Sequence, residues 1–195
     1  MAPEELRAWR KAERARLIEA RMALPLDEHA AASAAISAHL EARFPAASFR
    51  SLGCYWPFRR EFNCIPFMRA VVEDGGQVAL PVVLAKGQPL EFRPWTPKAK
   101  MELGVWDIPH PAEGPAVLPD ALLVALVGFD EAGYRLGYGS GYYDRTVAAM
   151  AAKPLMIGVG FELSRVPTIH PQPYDVPMDY IVTEAGVFHT AQAKA

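Results

Sequence analysis

The chain has 195 residues, 51% of them hydrophobic and 22% charged, with a formal net charge of -2. That is enough apolar material for one sizeable core, and it excludes the global basic excess of a nucleic-acid binder or a membrane-surface protein. Without that excess any anion binding must be local, and the longest strongly apolar run, ALLVALVGF at 121–129, is less than half of the roughly 20 residues a membrane-spanning helix needs and reads as a buried strand.

The amino-terminal MAPEELRAWRKAERARL is charged throughout and has no apolar segment leading to a cleavage site, so no secretory signal is expected. Cys54 and Cys64 are too few for a disulfide framework or a four-cysteine zinc site, and a cytoplasmic protein with reduced thiols is expected. Residues 3–22 are predicted to be a helix: Leu6, Trp9, Leu17 and Ala20 share a face, Pro3 suits a helix start, and Glu13 interrupts the stripe. Arg10, Arg14 and Arg21 also project along one face. They read either as a solvated face, with Glu13 pairing with Arg10, or as a clasp for a polyphosphate. A second helix is expected over 27–43 with Asp27 as N-cap.

After Pro45 the pattern changes. Residues 49–56 read as a strand, 65–76 as a helix closed by glycines, and 77–83 as a second strand, which favours a parallel pair. A shorter strand is expected at 89–95. Six prolines between Pro94 and Pro119 predict a stretch that is mostly loop. Then come a buried strand at 121–129, a helix at 141–152, a strand at 154–161 and a last short strand in DYIVTEAGV. The expected fold class is α/β, an open, mostly parallel sheet with helices on both faces and an amino-terminal helical pair. One domain, 1–195, and a monomer are expected.

RLGYGSGYYDR, residues 135–145, sets glycines at Gly137, Gly139 and Gly141 between the buried strand and the next helix. Ligands of open parallel sheets bind beside the carboxyl ends of strands. Glycines let backbone approach a phosphate, and the following helix start favours an anion. The spacing is neither the dinucleotide fingerprint nor the G-x-x-x-x-G-K-[ST] loop, and Ser140 is not framed as a hydrolase nucleophile. On spacing alone, a phosphate cradle and an ordinary flexible loop both stay open. Asp144, one turn into the helix, suits a magnesium ion shared with phosphate oxygens, or simply a carboxylate placed well near a helix start.

Taken in order, RKAERARLIEARMAL, YWPFRREFN, VALP, WDIPHP, LVGFDEAGYRLGYGSGYYDR, IGVGFE and YDVPMDYIVTEAGV resemble the 5-formyltetrahydrofolate cyclo-ligases, also called methenyltetrahydrofolate synthetases. The glycine-tyrosine block carries most of the specificity. The resemblance implies that ATP and Mg2+ are used to convert 5-formyltetrahydrofolate to 5,10-methenyltetrahydrofolate, with ADP and phosphate released, through a phosphorylated formyl group. It implies ATP contacts by Arg10, Arg14 and the segment Arg135, Leu136, Gly137, Tyr138, Gly139, Ser140, Gly141, Tyr142 and Tyr143. Arg14, Arg135 and Asp144 would be catalytic, and Asp144 and Asp175 metal-associated.

Glu61 would accept paired N–H donors of the pterin, where residue type alone reads as a surface ion pair with Arg59 and Arg60. Trp56 and Trp106 would stack on the folate rings, or are packed core aromatics. Tyr138 and Tyr142 would close over the substrate. Three positions depart from the family pattern: Arg10 where lysine often stands, Ala125 where proline does, and Ser140 where lysine or glycine does. The serine removes a cation near the phosphates. His29, His39, His110, His170 and His189 lack zinc-ligand spacing, and His110, within WDIPHP, reads either as a surface-loop residue or as one that borders the pocket.

Overall fold

The structure, a computed structural model, describes residues 1–190. Residues 191–195, the end of the expected domain, lie outside the described residues. The helical pair is present as α1 (Pro3–Ala23) and α2 (Leu26–Arg43). Asp27 does not cap α2. Pro25 occupies the N-cap, its φ of -53° lets the helix start at once, and Asp27 falls in the first turn.

Seven strands form the main sheet in the order β11-β10-β9-β6-β1-β2-β3. They are β1 (Ser51–Gly53), β2 (Gln77–Val82), β3 (Glu91–Trp95), β6 (Ala121–Ala125), β9 (Leu155–Val159), β10 (Tyr180–Thr183) and β11 (Gly186–His189). The five inner strands run parallel, and β3 and β11 close the two edges antiparallel. Alternation along the strands feeds two cores. Ala121 and Leu123 pack with Ile36 and Leu40 of α2 and with Phe67, Met68 and Val71 of α3 (Ile65–Glu73). Leu122 and Val124 pack on the other face with Val147 of α4 (Tyr142–Ala149). Each buried leucine contributes about 2 kcal/mol.

Several expected boundaries move. The strand of 49–56 shrinks to β1, because after Cys54 N–H reaches Ala79 O at 2.8 Å the chain turns away through Pro57. The run 121–129 is not one strand. It leaves the sheet after Leu126, whose N–H still reaches Val159 O, and continues as β7 (Gly128–Phe129), hairpinned to β8 (Arg135–Leu136). Gly128 is where α1 crosses that hairpin, since a Cβ there would lie 2.6 Å from Leu17 Cδ1. The proline-rich stretch contains a short ribbon, β4 (Met101–Leu103) with β5 (Pro109–Pro111), tolerant of proline because its outer edges need no donors. The last strand is a hairpin of β10 and β11.

The chain order fixes where a ligand can sit. From β1 the chain crosses by α3 on one face to β2, and from β6 it crosses by α4 on the other face to β9. The adjacent strands β1 and β6 therefore send their connections apart, which opens a crevice at their carboxyl ends. Among the described residues, no helix is long and apolar enough to cross a membrane.

Candidate active site

A cleft of about 1070 Å³ occupies this switch point. Arg10 and Arg14 reach it from α1, Trp56 and Glu61 from the loop after β1, Trp106 from the tip of the β4–β5 ribbon, and Asp175 from the proline-rich 171–177 loop. Every residue from Arg135 to Asp144 also lines it. Sequence positions up to 165 apart thus meet in one place.

The glycines of the 135–145 segment have separate physical reasons. Gly139 and Gly141 lie at φ +96° and +64°, and a Cβ would stand 3.2 Å from Arg14 Cζ and 3.0 Å from Arg145 Nη1 respectively. Their missing side chains let two guanidinium groups lie against the loop. Arg14 Nε donates to Gly137 O at 2.7 Å, and Arg145 Nη2 donates to Ser140 O. Gly137 has nothing within 4 Å of the same construction. Gly141 then caps α4 directly, so the loop ends at a helix start.

The expected pairing of Glu13 with Arg10 does not occur. Glu13 pairs with Arg16, one turn further along the exposed side, while Arg10 turns inward to Asp175 at 2.6 Å and to the carbonyls of Ile169 and His170. Asp175 also accepts the Gln172 N–H, so both of its oxygens are engaged. Asp144 accepts from Arg135 Nη2 at 3.0 Å and from Val176 N–H at 3.0 Å, both on Oδ1. Among the described residues its Oδ2 accepts no hydrogen bond. One carboxylate oxygen free at the edge of the cleft suits Mg2+, which takes one or two carboxylates and completes its shell with phosphate and water oxygens.

Arg21 departs most from its sequence reading. It is no part of a solvated stripe: only 2% exposed, it donates to Arg59 O, Leu126 O and Tyr138 Oη at 3.0–3.3 Å. The Tyr138 hydroxyl in turn donates to Glu61 Oε1 at 2.9 Å, and Phe58 N–H reaches Glu61 Oε2. Glu61 is therefore buried and its partner is Arg21, 3.9 Å away, rather than Arg59 or Arg60. Those two sit in a left-handed turn at φ 47° and 57°. Burial pushes the Glu61 carboxyl above its ordinary 4.5, against the opposing pull of Arg21, Phe58 N–H and Tyr138. The signal for Arg21 was present: it lies one turn after Leu17 on the packed face of α1.

Trp56 is half-buried, and Trp106 is 49% exposed, held at φ 59° with its ring 5.7 Å from that of Tyr138. Trp106 is not a core aromatic, whereas Trp56 both packs against the core and lines the cleft. Sequence reasoning missed Arg145 and Phe58, both of which line the cleft, and His110 lines it too, the pocket-bordering alternative of its two readings. His110 is not a surface-loop residue, since its ring folds over Gly104, where a Cβ would meet it at 2.6 Å.

A sequence model described as the 5-formyltetrahydrofolate cyclo-ligase family matches residues 6–184. The chain is 33% identical to a 5-formyltetrahydrofolate cyclo-ligase of Mycolicibacterium smegmatis, over 70% of this chain and 74% of that protein. To the protein of the same name in Escherichia coli K12 it is 28% identical over 74% and 83%. Its fold is similar to that of a 5,10-methenyltetrahydrofolate synthetase of Aquifex aeolicus, with a TM-score of 0.81, 25% identity and 95% of each chain covered. The corresponding Mycoplasma pneumoniae structure gives a TM-score of 0.74 over 90% of this chain and 98% of that one, at 23% identity.

Proposed function

The chain belongs to the 5-formyltetrahydrofolate cyclo-ligase family, and on that premise we propose that its cleft converts 5-formyltetrahydrofolate to 5,10-methenyltetrahydrofolate at the expense of ATP. The observation that carries this reading is the convergence of Arg10, Arg14, the whole 135–144 loop and Glu61 on one crevice at the switch point. An amide oxygen is a poor leaving group until phosphorylated. In the proposed reaction the formyl oxygen takes the γ-phosphoryl group and ADP leaves. N10 of the same molecule then attacks the activated carbon and loses its proton, and phosphate departs with the oxygen. The second nucleophile is already tethered, so orientation supplies much of the rate, and no enzyme nucleophile is required.

The protein's part is electrostatic and geometric. Arg14, Arg10 and Arg135 screen the charge on the transferred group, and Gly139, at positive φ, lets Arg14 lie against the loop backbone. Glu61 accepts pterin N–H donors, its carboxylate oriented by Tyr138 and Arg21 at Oε1 and by Phe58 N–H at Oε2. Trp56, Trp106 and Tyr142 supply flat surfaces for the folate rings. Mg2+ would be held by Asp144 through Oδ2, with Asp175 joining once Arg10 turns to phosphate. There it would neutralise phosphate charge. The same reading makes the protein a cytoplasmic, single-domain monomer.

Absorbance on mixing the protein with 5-formyltetrahydrofolate, ATP and Mg2+ tests this directly. Growth of the near-ultraviolet methenyl band only in the complete mixture supports the reading, and absence of the band from folded protein that binds both substrates overturns it. Asp144→Asn and Arg14→Ala are expected to lower turnover at least 100-fold, as removal of a preorganised charge does, with circular dichroism unchanged.

A further inference from the structure

We propose that Arg145, outside the 135–144 segment, is a phosphate ligand of the nucleotide and forms with Arg14 a pair of cations seated on the glycine loop. This rests on the reading that the cleft takes ATP.

Three arginines in or behind the cleft pair with carboxylates: Arg10 with Asp175, Arg135 with Asp144 and, outside the lining, Arg21 with Glu61. Arg14 and Arg145, the two that lie on the loop itself, have no carboxylate within 4.0 Å among the described residues; their loop contacts are the carbonyls of Gly137 and Ser140. Two uncompensated guanidinium groups on one short loop create a local positive field in a protein whose formal net charge is -2. Arg145 is also left incomplete. Its Nε is buried and has no hydrogen-bond partner, an arrangement that costs free energy unless an acceptor arrives. Its guanidinium stands 5.6 Å from the Tyr142 ring, which holds the fork beside the start of α4. A planar fork with unused donors, next to a loop and a helix start, matches the oxygens of a polyphosphate.

The chain is built to permit this placement. Arg145 reaches Ser140 O by passing over Gly141, where a Cβ would come within 3.0 Å of Nη1, just as Arg14 passes Gly139. Ser140 offers no charge of its own, and the guanidinium of Arg145 puts one at that point of the loop from one helical turn away.

Titration calorimetry on wild type, Arg145→Gln and Arg145→Lys, each with ATP, inorganic tripolyphosphate and 5-formyltetrahydrofolate, decides it. Arg145→Gln is expected to weaken ATP and tripolyphosphate roughly 10- to 100-fold, the span for loss of a charged hydrogen bond. It should also flatten the salt dependence of binding, as the loss of a cation requires. Arg145→Lys should recover part of the affinity, and 5-formyltetrahydrofolate should bind all three alike. Glutamine keeps a donor for Ser140 O, so full ATP affinity in Arg145→Gln would show that Arg145 only tethers the loop and would overturn the proposal. Selective weakening of the folate would also overturn it, assigning Arg145 to the folate carboxylates. If wild type binds no ATP, the parent reading falls, and the tripolyphosphate arm still decides whether Arg145 holds a phosphate.

Discussion

At Gly137, Gly139 and Gly141 the same residue type answers different demands, and substitution separates them. Gly139→Ala puts a Cβ at φ +96° against Arg14. It is expected to cost about 1–2 kcal/mol of stability and to raise the KM for ATP, read by denaturant unfolding and steady-state kinetics. Gly137→Ala meets open space and should stay within about 0.5 kcal/mol of wild type. Arg21 touches Tyr138 and Glu61, and on the proposed reading it is a positioning residue. Arg21→Met leaves Glu61 buried without its cation, with an expected loss of about 3 kcal/mol. Because burial already holds the Glu61 carboxyl above 4.5, its ionisation lowers stability as pH rises through that raised value. The acceptor role proposed for it would be lost as pH falls through the same value. Folate binding should therefore weaken on the acid side, and the midpoint should move to higher pH in Arg21→Met, where the main opposing charge is gone. A KM profile for 5-formyltetrahydrofolate against pH reads that shift, and an unmoved midpoint would refute the coupling.

Among the elements, the β4–β5 ribbon carries strained backbone at its tip, where a role in binding and a role in stability can be told apart by substitution. Trp106 and Asp107 at its tip take left-handed backbone without being glycine, at φ 59° and 57°. Such strain costs about 1–3 kcal/mol per residue and persists where something else requires the side chain. Trp106 is half exposed and faces Tyr138 across the cleft, so the requirement fits a ligand better than a core. Trp106→Gly is expected to hold or raise the melting temperature while the KM for 5-formyltetrahydrofolate increases about tenfold. A parallel loss of stability would mean that the ring serves the fold. α1 behaves differently: Leu17 sits under the hairpin of β7 and β8, and Arg21 anchors in the turn after β1, so the helix that carries Arg10 and Arg14 is pinned at its far end.

For the whole molecule, the cleft draws on α1, the loop after β1, the β4–β5 ribbon, the glycine loop and the 171–177 segment. A nucleotide bound there would tie these together. ATP at 100 times its Kd is expected to stabilise the protein by about 2.7 kcal/mol, and hydrogen exchange should slow jointly in α1, 135–145 and 171–177 but not in α2. The order of elements, the parallel pairing of β1 with β2, the apolar strand cores and the 135–144 segment were legible in the sequence, because hydrophobic period and glycine placement are local properties of the chain. So was the family, since the motifs run in order from RKAERARL to YDVPMDYIV. What the local pattern could not decide were the partners. Glu13 chose Arg16 and Arg10 chose Asp175, Glu61 was buried against Arg21, and the strand at 121–129 broke at Leu126 to carry the loop over the switch point. Those choices depend on which distant segments the sheet order brings within a few ångströms. Desolvation and charge pairing act across space, so only the tertiary structure determined which arginines pair with carboxylates and which do not.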